Sequence, residues 1–455
     1  MDRGRSRTVN STRQGTFRTI IAASLIACGS PEPKLLQGEG LKDPESCRQC
    51  HASHVDEWSG SMHAYAGDDP VFMALNARGQ RDTNGALGDF CVKCHAPVAL
   101  RTGATKDGTN LAELPSYLRG VTCYFCHSVE AVEGSHNNPL TLADDGVLRA
   151  AIRDPVDNPA HASAYSPLLD RDTRESASLC GSCHDIVTPG GAHIERTFSE
   201  WQASQFGNGT SALLTCGNCH MPGKKAPAAD FDGVKVREVH AHDWPAVDVA
   251  LTPFPNQDAQ RNAVAKALSQ TVVGQLCVSP PLADVRIDVL LENAFAGHAF
   301  PSGAASDRRV WAELTAYKSD VVIFESGVVT AGQSVTELDD PNLLLFGDRT
   351  FDAGGKETHL FWETASYESN LLLPKPDPNH RFTKTYVLPL KSGIPDRVRL
   401  VVRIQPIGLD VLAEVIASGD LDPSVAESIP TFEVIRLEWQ AQDGYGCVPK
   451  DAFAP

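Results

Sequence analysis

Cys47-Arg-Gln-Cys50-His51 is the first of five Cys-x-x-Cys-His motifs in this chain. The others are Cys91-Val-Lys-Cys94-His95, Cys123-Tyr-Phe-Cys126-His127, Cys180-Gly-Ser-Cys183-His184 and Cys216-Gly-Asn-Cys219-His220. In the attachment site of c-type haem, two thiols bind the porphyrin covalently and the adjacent imidazole becomes the proximal iron ligand. One copy could be half of a zinc site, but five copies use ten of the 13 cysteines, and zinc binding would not explain the histidine after every pair. The sequence therefore predicts five haem c groups, with the motif histidines as proximal ligands.

The N-terminus has the features of an export signal. Five arginines and a single acid, Asp2, precede the apolar run at residues 20–27. Residues 1–27 are predicted to be a signal peptide. The segment Leu25-Ile26-Ala27-Cys28 resembles a bacterial lipobox, which predicts lipidation of Cys28; an ordinary signal peptide with an incidental cysteine is the alternative. A lipid anchor would place the protein in the periplasm, at the outer membrane or at the cell surface without a spanning helix.

The net charge limits the class of partner. The chain carries −17, which becomes −21 once the +4 of residues 1–27 is removed. Such an acidic surface disfavours nucleic acid and favours basic redox proteins, which we expect to be membrane-associated. The alternative is that the charge mainly keeps an exported protein soluble.

Composition divides the remaining chain into four segments. Residues 28–45 are rich in Pro and Gly and are predicted to be a flexible tether. A pentahaem domain of short helices and loops wrapped on haem is predicted for residues 46–250, and a helical connector for residues 251–280. Residues 281–455 contain β-branched, alternating runs and are predicted to form a β-sandwich-like domain with a small helix near 408–418. The predicted fold class is therefore α+β.

Two cysteines outside the motifs bracket the β-rich segment. In an oxidising compartment, Cys277 and Cys447 are predicted to form a disulfide that closes this domain. Two unpaired thiols are the alternative.

A weak internal repeat accompanies the haem motifs. Glu57-Trp58-x-x-Ser61 follows the first motif, and Glu200-Trp201-x-x-Ser204 follows the fourth. Each is predicted to begin a short helix whose tryptophan packs on a porphyrin.

The second ligand of each iron decides between electron transfer and catalysis. Ten of the 15 histidines are not proximal ligands, whereas methionine is scarce and Met221 is too close to His220 to reach the opposite face of the same haem. The number of available histidines therefore favours bis-histidine ligation.

Several segments resemble the cytochrome c554-related multihaem proteins over roughly residues 45–320. They include Ser61-Met-His63-Ala, Leu179-Cys-Gly-Ser-Cys-His-Asp185, Cys219-His-Met-Pro222, Arg237-x-x-His240-x-His242-x-Trp244-Pro245 and Gly297-His298-x-x-Pro301-Ser-Gly303. The resemblance implies distal ligands at His63, at His161 and at His242, with His240 as the rival of His242. It further suggests His298 and His136. A fifth haem motif and the added β domain depart from the tetrahaem members of that family.

Three functions fit these features. The leading hypothesis is an electron carrier whose five haems lie close enough to exchange electrons with each other and with partner proteins. The alternative is an oxidoreductase similar to multihaem nitrite reductases or hydroxylamine oxidoreductases, which needs one haem with an open coordination position. No Cys-x-x-Cys-Lys motif is present to mark such a haem. The β domain could also act as a docking or assembly module, which is compatible with electron transfer.

Overall fold

The computed structural model describes residues 36–450. The predicted signal peptide, the lipidation at Cys28 and residues 28–35 of the tether lie outside the described residues. None of the helices in the described part combines the length and apolar character needed to span a membrane.

The region of the haem motifs consists of short helices and two-stranded ribbons. Its helices are α1 (Glu39–Lys42), α2 (Pro44–Ser59), α3 (Met62–Tyr65), α4 (Pro70–Asp82), α5 (Val92–His95), α6 (Pro97–Arg101), α7 (Cys123–His127), α8 (Arg174–Gly181), α9 (Thr197–Ala203) and α10 (Cys216–His220). Its strands are β1 (Val129–Val132), β2 (Leu140–Leu142), β3 (Val147–Ala150), β4 (Ala162–Tyr165), β5 (Ile186–Val187), β6 (His193–Glu195), β7 (Gly223–Pro227) and β8 (Val236–His240). They pair as β1–β2, β3–β4, β5–β6 and β7–β8, and only β3–β4 is parallel among these ribbons.

Local sequence explains where the longer helices begin. The Asp43 side chain accepts a hydrogen bond from the backbone N–H of Glu45 at 3.0 Å, and Pro44 occupies the first turn of α2. Asp69 caps α4 in the same way, accepting from Val71 at 2.9 Å. An acidic N-cap followed by proline satisfies free N–H groups and preorganises the first turn.

The predicted connector is half helix and half strand. α11 (Gln257–Ser269) ends before the expected Leu276, and β9 (Val272–Val278) follows after two residues. Along β9 the side chains are buried alternately, and the strand pairs with β10 (Asp284–Asn293). The β domain therefore begins at Val272, because β-branched residues around Gly274 fit a sheet better than the end of a helix.

Two antiparallel sheets form the C-terminal domain. The other elements are β11 (Arg309–Lys318), β12 (Val321–Ser326), β13 (Leu344–Phe351), β14 (Ser366–Asn370), β15 (Arg381–Pro389), β16 (Arg397–Gln405), α12 (Leu409–Ala417), α13 (Ser424–Ser428), β17 (Phe432–Gln440) and β18 (Gly446–Pro449). Short 3-10 helices lie at Leu111–Glu113, Ser116–Leu118, Pro167–Leu169, Val335–Glu337, Pro378–His380, Leu390–Ser392 and Ala441–Asp443. One sheet has the order β15-β10-β9-β18, and the other has the order β14-β13-β11-β16-β17 with β12 paired to β11.

The two sheets share one hydrophobic core. Leu276 and Ile287 from the first sheet and Leu314, Leu400 and Trp439 from the second are buried in the same cluster. Burial of such side chains is the main favourable contribution to folding. Helices and antiparallel sheets together confirm the α+β class.

Polar contacts and one helix pair join the β domain to the haem region. Arg308 forms a bidentate ion pair with Asp248, with both N–O distances at 2.8 Å. Arg196 contacts Asp348 at 2.8 Å. In addition, α12 packs its buried apolar side chains against those of α4. These contacts fix the β domain against the segment that carries the haem motifs.

A disulfide joins Cys277 in β9 to Cys447 in β18, directly across the paired strands. Replacing both residues with serine should lower the free energy of unfolding of the β domain by about 3–5 kcal/mol, because a disulfide that closes a long loop restricts the unfolded chain. The two cysteines of this disulfide are 170 residues apart in sequence. Scanning calorimetry of the variant and the oxidised parent would measure the loss. An unchanged melting temperature would contradict a stabilising role.

Candidate haem-binding sites

Each Cys-x-x-Cys-His motif lies on or next to a helical turn. The third and fifth motifs are the whole of α7 and α10, and the first is inside α2, where His51 departs from helical backbone angles. A helical turn places residues three apart on one face. Both thiols of a motif therefore face one side, with the histidine beside them, and all ten motif cysteines are free thiols. This donor set fits covalent attachment of one haem per motif.

Four proximal histidines are held by backbone carbonyl groups. The Nδ1 atoms of His51, His95, His127 and His220 lie 2.9, 3.1, 2.5 and 3.0 Å from the carbonyl oxygens of Ala228, Ala66, Arg149 and Pro245, respectively. Because a carbonyl oxygen only accepts, Nδ1 must carry the proton in each ring. The neutral Nε2 atom is then left for iron, and this arrangement is typical of metal-bound histidine.

The remaining motif histidine, His184 of the fourth motif, has a carboxylate partner instead. Nδ1 of His184 lies 3.5 Å from Oε1 of Glu195, slightly beyond a usual hydrogen bond. Burial lowers the pKa of His184, but the neighbouring Glu195, together with the charges of Cys183 and Cys180, outweighs burial and raises this pKa to about 9. The carboxylate therefore favours a proton on Nδ1 and an electron-rich ring.

Three histidines predicted as distal ligands face proximal histidines. The ring centroids are 6.3 Å apart for His51 and His161, 6.2 Å for His184 and His63, and 6.3 Å for His220 and His298. Metal–imidazole bonds of about 2 Å place the centroids of two opposed rings about 6 Å apart. Each pair thus has the separation that two axial ligands of one iron need.

Neighbouring carbonyl groups orient two of these distal rings. Nδ1 of His161 lies 3.1 Å from the carbonyl oxygen of Ala162, and Nδ1 of His298 lies 2.9 Å from that of Ala299. Burial lowers the pKa of His63 to about 3 and also lowers that of His298. Both rings are therefore neutral near pH 7, which is the form that binds a metal.

His242 lies near His127 and is its candidate partner. Burial, followed by the nearby His54 and His127, lowers the pKa of His242 to about 3. Its Nδ1 atom lies 2.9 Å from the carbonyl oxygen of His240, which leaves Nε2 free. His240 therefore supports His242 through its backbone. His54, which the sequence did not single out, lies 4.9 Å from His242 between ring centroids, and its buried Nδ1 has no hydrogen-bond partner.

His136 does not oppose a proximal ring. Its side chain is exposed, since Asn137 and Asn138 make a turn with positive φ and their side chains bond to the carbonyl groups of Val187 and Lys93 instead. Within residues 36–450, no histidine ring faces His95 at the axial separation. The His95 ring is stacked on Phe72 with centroids 4.1 Å apart. The structure therefore gives no support to His136 as a distal ligand.

Cysteine contacts order the five motifs in space. The thiols lie close enough to shift each other's pKa in three pairs, which are Cys47 with Cys123, Cys94 with Cys183, and Cys180 with Cys216. Burial raises the pKa of Cys126, and the nearby Cys180 and Cys183 raise it further. The fourth motif is thus next to the second, third and fifth, while the first motif is next to the third.

The sequence repeat at Trp58 and Trp201 corresponds to a repeated contact. The indole N–H of Trp58 donates to the carbonyl oxygen of Val121 and that of Trp201 to Leu214, both at 2.8 Å. Each acceptor precedes the first cysteine of a motif, Cys123 or Cys216, by two residues. Trp58 ends α2 rather than beginning a helix, whereas Trp201 lies within α9.

The glutamates of the repeat hold the backbone beside candidate distal ligands. Glu57 accepts from the backbone N–H of His242, and Glu200 accepts from that of Ala299, both at 3.0 Å. Ala299 follows His298 directly. The first and third motifs therefore form a unit with the same internal contacts as the fourth and fifth motifs.

The fold is similar to that of a multihaem c-type cytochrome, and the first three motifs lie in a segment that matches a family of such proteins. Residues 46–128, which contain the first three motifs, match the family Cytochrome c554 and c-prime. A similar solved structure is the crystal structure of a penta-haem cytochrome c552 from Thermochromatium tepidum. It shares 20% sequence identity, with a TM-score of 0.62 over 88% of this chain and 99% of that chain. A search of curated proteins returned no match. The two matches confirm the predicted resemblance and haem c as the kind of cofactor.

Proposed function

We propose that this protein is a pentahaem electron carrier of the cell envelope. The observation that carries the proposal is the set of three opposed histidine pairs, each about 6 Å between ring centroids. Two histidines per iron close both axial positions, which suits electron transfer and excludes substrate binding at that iron. The five motifs support a count of five, as does the penta-haem description of the similar structure.

The proposed axial pairs join distant parts of the chain. They are His51 with His161, His184 with His63, His220 with His298 and, from the repeat contacts, His127 with His242. Bound haem iron would supply a one-electron couple at each site. The chain's own residues orient the imidazoles and bring neighbouring attachment sites together, so that electrons can pass from one site to the next. In this proposal, the haem-wrapped segment and the sandwich-like domain together hold the axial histidines in place.

The envelope location rests on the N-terminal sequence. A signal peptide at residues 1–27 and a lipid on Cys28 would tether the acidic protein at a membrane face. Basic or membrane-associated redox proteins are the proposed partners. The β domain, joined to the haem region through Arg308 and Asp248, would either support the sites or offer a surface for docking.

One observation favours the alternative function. His95 is the only proximal histidine in the described residues without a candidate histidine partner, and Phe72 packs against its ring. A haem attached there could keep an open coordination position. An oxidoreductase acting on a small nitrogen compound such as nitrite or hydroxylamine would need this kind of site.

Electron paramagnetic resonance and optical spectra of the purified protein would separate the two functions. We expect five haems per chain, four with low-spin bis-histidine signals and one high-spin signal from the His95 site. No change in the high-spin signal with nitrite or hydroxylamine would support the carrier. A shift of that signal would support the oxidoreductase, and fewer than three bis-histidine signals would contradict the proposed pairs.

A further inference from the structure

The proximal histidine of the fourth motif differs chemically from the other four. His184 faces the carboxylate of Glu195, whereas the Nδ1 atoms of the others face neutral carbonyl groups. The difference is built into the fold. Strand β5 starts at Ile186, two residues after His184, and Ile186 pairs with Glu195 at the end of β6. The ribbon therefore returns Glu195 to the side of His184.

The carboxylate is sheltered enough to act on the ring. Its side chain is 19% exposed, so water screens its charge only in part. The charge of Glu195 also acts on Arg308, but this guanidinium is already bound to both oxygens of Asp248. Glu195 has its close contact with the His184 ring, and its charge also acts on His95.

On the basis of the proposed electron-transfer function, we propose that Glu195 makes the haem of the fourth motif the most reducing of the five. A carboxylate close to Nδ1 raises the basicity of a ligating histidine, and a more basic ligand stabilises the oxidised iron. Glu195 is a positioning and tuning residue, since it acts through His184 and does not touch the haem iron.

The location of this haem gives the difference a consequence. The thiols of the fourth motif lie near Cys94 and Cys216, and they also lie near Cys126. Electrons that move between the second, third and fifth haems by the shortest route would pass through the fourth. A more reducing haem at this junction is an energetic barrier to electron transfer through it. The haems on either side would therefore be reduced before the junction haem is.

The angle between its two axial rings distinguishes the junction haem from the His51 and His220 haems. The His184 and His63 rings are 73° from parallel, whereas the His51–His161 and His220–His298 rings differ by 28° and 17°. Near-perpendicular imidazole planes give a low-spin signal with a large maximum g value, while near-parallel planes give a rhombic signal. During reductive titration of the wild-type protein, the large-g signal should be the last low-spin signal to disappear.

The variant Glu195→Gln tests the cause. Glutamine keeps the size and an acceptor oxygen but removes the charge, so the large-g signal should disappear at a higher potential while the rhombic signals stay in place. Glu130→Gln, an exposed change on β1, is the matched control and should move none of them. Early loss of the large-g signal in the wild type would overturn the inference. An unchanged potential of the large-g signal in Glu195→Gln would also overturn it, and so would an equal shift in the potentials of all the signals. Neither result affects the proposed function, which is tested separately by the response of the high-spin signal to nitrite or hydroxylamine.

Discussion

Replacing His298 with alanine is expected to convert one low-spin haem into a high-spin haem. The His298 ring faces His220 at 6.3 Å between centroids and 17° from parallel. Its environment is fixed from two sides, since its Nδ1 bonds to the carbonyl group of Ala299 and the Ala299 N–H bonds to Glu200. Alanine has no donor atom to replace the imidazole, so the iron of the His220 haem should become five-coordinate or bind water. Optical spectra and electron paramagnetic resonance would detect the change.

The matched control is His136→Ala. His136 is exposed and faces no proximal ring in the described structure, so its removal should leave every low-spin signal intact. Haem content should remain at five in both variants, because the covalent attachment through cysteine is untouched. A spectrum of His298→Ala identical to the wild type would refute the pairing of His298 with His220.

The change Asp248→Ala should destabilise the contact between the haem region and the β domain by about 3–5 kcal/mol, because it leaves a buried charge without its partner. The Arg308 side chain is 10% exposed and loses two hydrogen bonds of 2.8 Å. Arg308 cannot avoid this cost by deprotonation, because a guanidinium group stays protonated in proteins. The carbonyl groups of Ser302 and Pro406 remain as acceptors and do not replace the lost negative charge.

Thermal unfolding followed by calorimetry would measure this loss. Glu357→Ala is the control, since it removes a carboxylate from Arg349, whose side chain is 58% exposed in that pair. An exposed guanidinium is solvated by water, so the control should change the unfolding free energy by less than about 1 kcal/mol. Equal losses in the two variants would show that the Arg308 pair is not a buried charge site.

The haem motifs and most of the β domain could be predicted from the sequence because both depend on short-range patterns. Cys-x-x-Cys-His is complete within five residues, and alternation revealed β10, β11, β15, β16 and β17. The segment around Val272 was predicted to be helical because its apolar spacing fits both periods. Pairing with β10, a long-range contact, decides the strand.

Side-chain environments depend on contacts between distant segments, and these were only partly predictable. The pairs of His63, His161 and His298 with their proximal partners arise from chain reversals that no local pattern specifies. The exposed position of His136, beside the turn at Asn137 and Asn138, gives no support to its predicted role as a distal ligand. Glu195 was missed entirely, although a hairpin after the fourth motif could have suggested a residue returning to His184.

The position of His298 in the β domain has a consequence for biogenesis. The chain emerges from its N-terminus onward, so the thiols of all five motifs reach the attachment machinery before the residues of the β domain do. With His298 as its second ligand, the His220 haem stays coordinatively incomplete until that last domain has folded and docked. A prematurely terminated chain would therefore carry a reactive, ligand-accessible haem, and completion of the fold would quench it.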